Sequence, residues 1–349
     1  MATIQIGDYQ IGPGHACFIV AEAGVNHNGN LEMAHQLVEV AVRAGATAVK
    51  FQAYKAERLA SKDAPKAEYQ LRTTGEAESQ LEMLRRLELS HDAHRELMGY
   101  CRQRGMIFMS TPFDEDNADF LDELEVPVFK IPSGEITNLH FLGHVARKGK
   151  PMIVSTGMST LGEVDTAVRT IREAGNRDLV LLHCVGNYPA APGDANLRAM
   201  QTMAMAFGLP VGYSDHTLGI EVALAAVALG ACVVEKHFTL DRNLPGPDHQ
   251  ASIEPEELRA LVRGVRIVQA SLGDGQKKPA ASEQNTAAIA RKSLVAARDL
   301  PAGTRLAQEH LTVKRPGNGL PPAMLDHIVG RTLRVGIREG ALIALEMLA

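Results

Sequence analysis

Short runs of β-branched and apolar residues recur along the first three-quarters of the chain. Each is followed by a stretch whose apolar positions return at every third or fourth residue. The runs predict strands at Cys17–Glu22, Ala48–Gln52, Met106–Ser110, Val126–Ile131, Met152–Ser155, Leu179–Cys184, Pro210–Tyr213 and Cys232–Lys236. The stretches between them predict helices such as Leu31–Ala44, His91–Gly105, Asn117–Leu124, Leu161–Ala174 and Ile220–Leu229, several of them ending at a glycine. Eight strands alternating with helices predict an α/β protein of the (β/α)8 (TIM) barrel type. The competing arrangement is an open doubly wound sheet, but no GxGxxG follows the first strand.

Two departures from the rhythm shape the domain plan. More than fifty residues separate the second and third strands, including the polar Lys55–Gly75 and the helical Ser79–Leu89. In a barrel this excursion leaves the C-terminal end of a strand, where loops cover substrates, although a plain surface insertion reads the same way. After a last helix at Pro255–Leu272 the chain becomes rich in Gly, Lys, Ala, Ser and Gln, which predicts a linker. The tail then repeats itself. Leu300-x-x-Gly303-x-x-Leu306 followed by Leu311 returns as Ile337-x-x-Gly340-x-x-Ile343 followed by Leu348. The pattern predicts a small pseudo-symmetric β-rich domain. The expected division is a barrel over 1–272, a linker over 273–288 and a small domain over 289–349.

Composition narrows the function. The net charge is −5, Trp is absent and aromatics are 4%, which argues against nucleic-acid partners. The four cysteines, Cys17, Cys101, Cys184 and Cys232, form no CxxC pair, so a reducing compartment is expected. The first residues lack the order of a signal peptide, and the apolar stretch Gly219–Val234 is too short to span a membrane. A cytoplasmic protein with no membrane partner is the expectation. Charge is unevenly spread: from Ile289 on, nine Lys and Arg face five Asp and Glu, a net of +4, so the preceding residues carry −9.

Barrel enzymes carry their reacting groups at the C-terminal ends of the strands. Those positions hold Glu22, Asn26 and His27; Lys50 and Gln52; Thr111; Lys130, Ser133 and Glu135; Ser155 and Thr156; His183, Asn187 and Tyr188; Ser214, Asp215 and His216; and Lys236 and His237. His216 and His237 follow neighbouring strands one β/α unit apart. They can hold a divalent ion and leave positions for water and substrate oxygens, or each can be a hydrogen-bonded loop histidine. Lys50, Lys130, Thr111, Ser133, Ser155 and Ser214 form a rim of cations and hydroxyls suited to a phosphate and a carboxylate on one small molecule. The hydroxyls taken singly also read as helix N-caps. Glu22 and Glu135 can serve as general acid or base, or orient a lysine. Asp248, beyond the stiff Gly246-Pro247 turn, can accept hydrogen bonds from a polyol.

The ordered set of motifs resembles the bacterial sialic acid synthase family. The matching segments are Ala21–Gly29 (AEAGVNHNG), Val49-Lys50-Phe51-Gln52, Ser110–Asp114 (STPFD), Lys130–Glu135 (KIPSGE), Ser155–Met158 (STGM), Ser214–Thr217 (SDHT), Glu235–Thr239 (EKHFT) and Gly246-Pro247-Asp248. In the tail, Val313–Gly319 (VKRPGNG) is similar to the signature of that family's antifreeze-like (SAF) domain. The resemblance implies a (β/α)8 barrel followed by a small β-rich SAF domain, in a domain-swapped homodimer whose Arg315 reaches the partner's site. It implies manganese or a similar divalent ion, magnesium and cobalt included, on His216 and His237. It places Lys50, Thr111, Lys130, Ser133, Ser155, Ser214 and Arg315 on phosphoenolpyruvate, and Gln52, Tyr188 and Asp248 on the sugar, with Glu22 and Glu135 at the reacting centre.

The implied activity joins phosphoenolpyruvate, an N-acylated hexosamine and water into a 2-keto acid with loss of phosphate through C–O cleavage. N-acetylneuraminate made from N-acetylmannosamine is the first expectation. The alternative is legionaminate made from the 2,4-diacetamido-2,4,6-trideoxy sugar. One departure stands out. The family usually carries a Thr-Asn or Thr-Ser pair before the Tyr-Pro that follows the sixth strand. Here the run is His183-Cys184-Val185-Gly186-Asn187-Tyr188-Pro189, with Asn187 the candidate to supply that contact.

Overall fold

The computed structural model describes residues 3–349 and divides into two compact units, Met1–Gly273 and Asp274–Ala349. The first opens with a hairpin of β1 (Ile4–Ile6) and β2 (Tyr9–Ile11), then β3 (Phe18–Gly24), α1 (Leu31–Ala44) and β4 (Ala48–Ala53). Three short helices fill the long excursion: α2 (Ala56–Leu59), α3 (Glu68–Thr74) and α4 (Gln80–Arg86). The regular alternation resumes with α5 (His91–Gln103), β5 (Ile107–Pro112), α6 (Glu115–Glu123), β6 (Phe129–Ile131), α7 (Leu139–Ala146) and β7 (Met152–Ser155). It ends with α8 (Leu161–Glu173), β8 (Leu179–Cys184), α9 (Ala199–Phe207), β9 (Val211–Asp215), α10 (Glu221–Ala228), β10 (Val233–His237) and α11 (Pro255–Leu272).

Strands β3 to β10 make one parallel sheet in the order β5-β4-β3-β10-β9-β8-β7-β6, and its two end strands, β5 and β6, lie against each other. The sheet is therefore a nearly closed eight-stranded barrel, as the alternation predicted. Both faces of each strand are covered, which is why the strands read as unbroken apolar runs. Helices start and stop where local chemistry directs. Asn30 caps α1 by accepting from the Met33 N–H, and Gly45 ends it in the left-handed region at φ 78°. Thr160 and Glu163 close a capping box on α8.

Two apolar layers hold the barrel. Outward residues such as Ile19, Val49, Ile131, Val154 and Leu181 pack under the helices. Inward residues near the N-terminal ends, among them Phe18, Val20, Met109, Val128, Ile153 and Val180, join Ile4, Ile6 and Ile11 of the hairpin. The hairpin plugs the barrel's bottom, a feature absent from the strand pattern read above. At Gly212 a Cβ would stand 2.4 Å from the Val233 carbonyl oxygen and 2.7 Å from the Leu182 side chain, so only glycine lets β9 lie this close to β10.

With this bottom filled, the inward positions of every strand but β8 turn polar two residues further along. Val20 is followed by Glu22, Ala48 by Lys50 and Gln52, Met109 by Thr111, Val128 by Lys130, and Ile153 by Ser155. On the last two strands Gly212 leads to Ser214 and His216, and Val233 to Glu235 and His237. The period of two thus delivers a polar ring to the C-terminal end of the barrel.

The second unit contains α12 (Gln284–Ala290), which begins in the stretch read as a linker over 273–288 and ends two residues beyond it, then β11 (Ser293–Ala296), β12 (Leu311–Lys314) and α13 (Leu325–Ile328). The repeat seen in the sequence is a pseudo-twofold in the fold. Leu300 and Ile337, equivalent in the two copies, exchange backbone hydrogen bonds of 2.8 Å in both directions. Gly303 N–H donates to Leu333 and Gly340 N–H to Ala296; Leu306 donates to Arg331 and Ile343 to Leu294. Each bond has its mate one repeat away. The repeated leucines and isoleucines form the core of this unit.

Candidate active site

The polar ring floors a cavity of about 350 Å³. Its floor is a cluster of buried charges. Lys50 Nζ lies 2.8 Å from Glu22 Oε2 and 3.7 Å from Glu235 Oε2, and donates to Thr111 Oγ1 at 2.8 Å. Lys130 Nζ donates to Ser155 Oγ at 2.7 Å and stands 3.6 Å from Glu235 Oε1, which also accepts from Ser214 Oγ at 3.1 Å. All four charged side chains are at most 5% exposed. Neighbouring strands in register impose this closeness: Glu22 pairs with Lys50 and with His237, and Glu235 with Ser214.

Burial sets the protonation. It drives the Glu22 carboxyl up to about 7, with Glu235 adding to the rise and Lys50 opposing it. Burial works upward on Glu235 as well, but Lys130 and Lys50 outweigh it and hold it below the ordinary range. Lys130 is lowered by burial. Burial also pulls on Lys50, yet Glu22 and Glu235 raise it overall. The floor thus holds one firm carboxylate, one carboxyl near its midpoint at neutral pH, and two lysines. Glu235 Oε2, 3.7 Å from Lys50 Nζ, has no hydrogen-bond partner. Such unspent polarity is what a ligand is positioned to use.

His216 and His237 stand over one side of the floor with ring centroids 5.5 Å apart. Burial lowers His216 to about 4 and His237 well below its usual value, so both are neutral imidazoles. His216 Nδ1 is 2.5 Å from the Val185 carbonyl. A carbonyl only accepts, so Nδ1 carries the hydrogen and Nε2 keeps its lone pair. His237 Nδ1 is buried without a hydrogen-bond partner and lies 4.0 Å from Asp248 Oδ2. Two neutral imidazoles with free ring nitrogens fit a divalent ion that completes its shell with water and substrate oxygens. Among the described residues no group of three or more His, Cys, Asp or Glu side chains is gathered for a metal.

Tyr188 stacks on His216 at 4.0 Å and meets His237 edge-on at 5.3 Å. Tyr69 of α3 stacks on Tyr188 from above at 5.1 Å. Asp248, raised to about 6 by burial, completes this side. The opposite wall is different in kind. Val25, Leu59, Met83, Leu84, Leu87 and Phe113 form an apolar cluster, with Gln70 and Gln80 beside it. Most of it comes from the excursion, which is tied down internally. Buried Lys66 donates to Thr74 Oγ1 and the Gly75 carbonyl, while Thr73 Oγ1 donates to the Pro247 carbonyl at 3.4 Å.

Most of the residues singled out in the sequence line this cavity: Glu22, Lys50, Gln52, Thr111, Lys130, Ser133, Ser155, Tyr188, Ser214, His216, His237 and Asp248. Ser133 sits at its edge, accepting from the Gly157 N–H at 3.0 Å. Glu135 does not line it. Its carboxylate accepts from the Asn138 amide at 2.8 Å on the turn beyond β6. Asn187 is exposed, and Gly186 occupies the wall instead. Arg315 belongs to the second unit, exposed just after β12. The sequence reading missed Glu235, although it stands on the same inward row as Val233 and His237. It also missed Tyr69 and the apolar wall.

A profile of the NeuB family matches residues 37–277, and one of the SAF domain matches residues 291–349. The N,N'-diacetyllegionaminic acid synthase of Campylobacter jejuni is 49% identical over 327 residues, covering 93% of this chain and 98% of that protein. The enzyme of the same name from Legionella pneumophila is 50% identical over 333 residues, covering 94% of each. The crystal structure of N-acetylneuraminic acid (sialic acid) synthetase from Leptospira borgpetersenii, in complex with citrate, superposes with a TM-score of 0.74 at 36% identity. It covers 82% of this chain and 95% of that one. No described helix is long and apolar enough to cross a membrane.

Proposed function

The chain belongs to the NeuB family, and from that premise we propose that it condenses phosphoenolpyruvate with a 2,4-diacetamido-2,4,6-trideoxy hexose and water. The products are a legionaminate-type nine-carbon 2-keto acid and phosphate. The observation that carries the choice of sugar is the apolar wall. Its partly exposed Leu59 and Leu84, packed against fully buried Met83 and Leu87, suit a 6-deoxy methyl group and acetamido methyls, with Gln70 and Gln80 at hand for the amides. The 4- and 6-hydroxyls of N-acetylmannosamine would lose water against these side chains without gaining partners, a cost of about 1–3 kcal/mol each. Among the described residues the only lysines or arginines lining the cavity are Lys50 and Lys130, both on the floor, so the described wall offers no cation to a sugar phosphate. The relatives at 49% and 50% identity bear the matching name. N-acetylmannosamine, the first expectation from the sequence, yields to the alternative on these two grounds.

The floor handles the anionic substrate. Lys50 and Lys130 balance the carboxylate and phosphate of phosphoenolpyruvate, and Thr111, Ser133, Ser155 and Ser214 donate hydrogen bonds to their oxygens. Lysines now paired with Glu22 and Glu235 turn to the ligand as it enters. C3 of phosphoenolpyruvate then attacks the carbonyl carbon of the open-chain sugar. The carbonyl oxygen takes up a proton, for which Glu22, near its midpoint at neutral pH, is the placed donor. Water adds at C2 and gives up a proton to a carboxylate of the floor. The C2–O bond to phosphorus then breaks with its electron pair going to phosphate, and the remaining C2 hydroxyl loses its proton to leave the ketone.

The family is generally metal-dependent. A divalent ion held by His216 and His237, with Mn²⁺ the one to try first, supplies Lewis-acid polarisation of the sugar carbonyl. Tyr188 packs against both imidazoles and Asp248 faces the polyol side, so these two orient the sugar. Arg315 is assigned to the same anion from a second copy of the chain. Arg315→Ala is expected to raise the KM for phosphoenolpyruvate by about tenfold with a smaller change in kcat. A KM unchanged in that substrate removes the role.

The test of the function is phosphate release from phosphoenolpyruvate with Mn²⁺, comparing the diacetamido-trideoxy sugar, N-acetylmannosamine and no sugar, each with a chelator control. A kcat/KM at least about a hundredfold higher for the deoxy sugar is expected, the sum of two missing polar contacts. A higher value for N-acetylmannosamine returns the reading to sialic acid. Silence with both overturns the catalytic assignment.

A further inference from the structure

Period two places Asp215 and Lys236 on the outside of the barrel, away from the cavity, directly opposite one another on β9 and β10. Each immediately precedes one of the two histidines. Lys236 Nζ donates to Asp215 Oδ2 at 2.7 Å, with the partners 1% and 0% exposed. Outside the cavity it is the one ion pair among the described residues in which both side chains are buried. The pair also grips the next turn from three sides. Asp215 Oδ1 accepts from the Thr217 N–H at 2.9 Å and from its hydroxyl at 2.8 Å, and Lys236 Nζ donates to the Thr217 carbonyl. His216 is the residue between the two that are gripped, and its own carbonyl accepts from the Ala190 N–H at 2.9 Å.

Stability alone does not account for such a pair. A buried ion pair recovers little more than its desolvation cost, and apolar residues of similar volume often serve as well. The outward residues that follow the polar ring on other strands, such as Ala23, Phe51 and Ile131, are apolar and belong to the core under the helices. What the pair adds is direction. It locks the ends of two strands in register at the point where each turns out an imidazole. We propose that Asp215 and Lys236 are positioning residues that set the spacing of His216 and His237, and thereby the affinity of the site for its divalent ion. The inference rests on the reading that these two imidazoles hold that ion.

The experiment is Mn²⁺ titration followed by electron paramagnetic resonance of the free ion, on full-length wild type, His216→Ala, the apolar pair Asp215→Leu/Lys236→Met, and Thr217→Val. Folding of each is checked by near-ultraviolet circular dichroism. The apolar pair is expected to bind Mn²⁺ about 10- to 100-fold more weakly, the usual loss when groups that orient a ligand are removed. Its KM for phosphoenolpyruvate should stay within about threefold, since the floor lysines are untouched. Thr217→Val, nearly isosteric and lacking only one bond of the grip, should weaken Mn²⁺ by about three- to fivefold and keeps the test decisive if the double variant does not fold. Wild-type affinity in a folded variant overturns the inference even where thermal stability falls, because a merely structural pair would alter only the latter. If His216→Ala binds Mn²⁺ as the wild type does, the metal assignment itself fails and takes the inference with it.

Discussion

Lys50→Met is expected to lower kcat/KM for phosphoenolpyruvate by about a thousandfold, roughly 4 kcal/mol in transition-state stabilisation. Lys50 stands between both floor carboxylates and is the cation closest to Glu22, at 2.8 Å. Removing it takes one positive charge from a buried anion site and leaves Glu22 without the cation that opposes its upward shift. The protein can relieve that burial by keeping Glu22 protonated, so the stability loss depends on pH with a definite sign. In the unfolded chain the carboxyl ionises near 4.5, whereas folded Glu22 holds its proton to about 7 even with Lys50 present. Unfolding therefore releases a proton between those values, and stability falls as pH rises through that window. Without Lys50 the folded value moves higher still and the window widens upward. Thermal midpoints of Lys50→Met should consequently lie closer to wild type at pH 5 than at pH 8. Steady-state kinetics and thermal melts at both pH values check this. A fall in kcat/KM of less than tenfold would sink the assigned role, and a deficit in thermal midpoint that is larger at pH 5 would sink the account of Glu22.

How much of this was legible in the sequence divides along one physical line. Whatever depends on a strand's own period is readable. The alternation that carries Val233 to Glu235 and on to His237, or Ala48 to Lys50 and Gln52, is visible without coordinates. The floor, the histidine pair and the barrel follow from it. Glu235 stands on the same inward row, between Val233 and His237. Applied strictly, the same period separates the inward Glu235 from the outward Lys236. The repeat in the tail was readable for the same reason, since each copy builds one half of a pseudo-twofold unit and must place its leucines alike. What stayed hidden lacks a local period. Ile4, Ile6 and Ile11 plug the barrel from a hairpin too short to stand out, and α2 and α3 of the excursion are only four and seven residues long, whereas α4 falls inside the predicted Ser79–Leu89. Leu59, Met83 and Leu87 become a wall only because Val25 and Phe113, from other loops, meet them. Glu135 and Asn187 sit on turns, where a single change of backbone direction decides whether a side chain faces the cavity. No spacing rule fixes that direction.

His216→Ala and His237→Ala are each expected to abolish tight Mn²⁺ binding and to lower metal-supported kcat by about a thousandfold or more, while phosphoenolpyruvate still binds. The argument runs from burial. Both imidazoles are neutral because desolvation penalises their charged forms, so both offer lone pairs at neutral pH. With two protein ligands rather than three or four, loss of either leaves a single imidazole, and the remaining water and substrate oxygens do not hold an ion tightly. The floor is built independently of this pair: Lys50 bonds to Glu22 and Thr111, and Lys130 to Ser155. Isothermal titration with phosphoenolpyruvate should therefore give an affinity within about fivefold of wild type for both variants. The two need not be equal. His216 is braced by Val185 and by the stacked Tyr188, so its removal also frees the aromatic pair that Tyr188 makes with Tyr69, on the sugar side of the cavity. His237 meets Tyr188 only edge-on. His216→Ala should accordingly raise the KM for the sugar more than His237→Ala does, beyond the shared loss in kcat. Chelator-sensitive turnover at the wild-type level in either variant would remove the metal from these residues. Equal sugar KM values in the two would separate Tyr188 from the binding of the sugar.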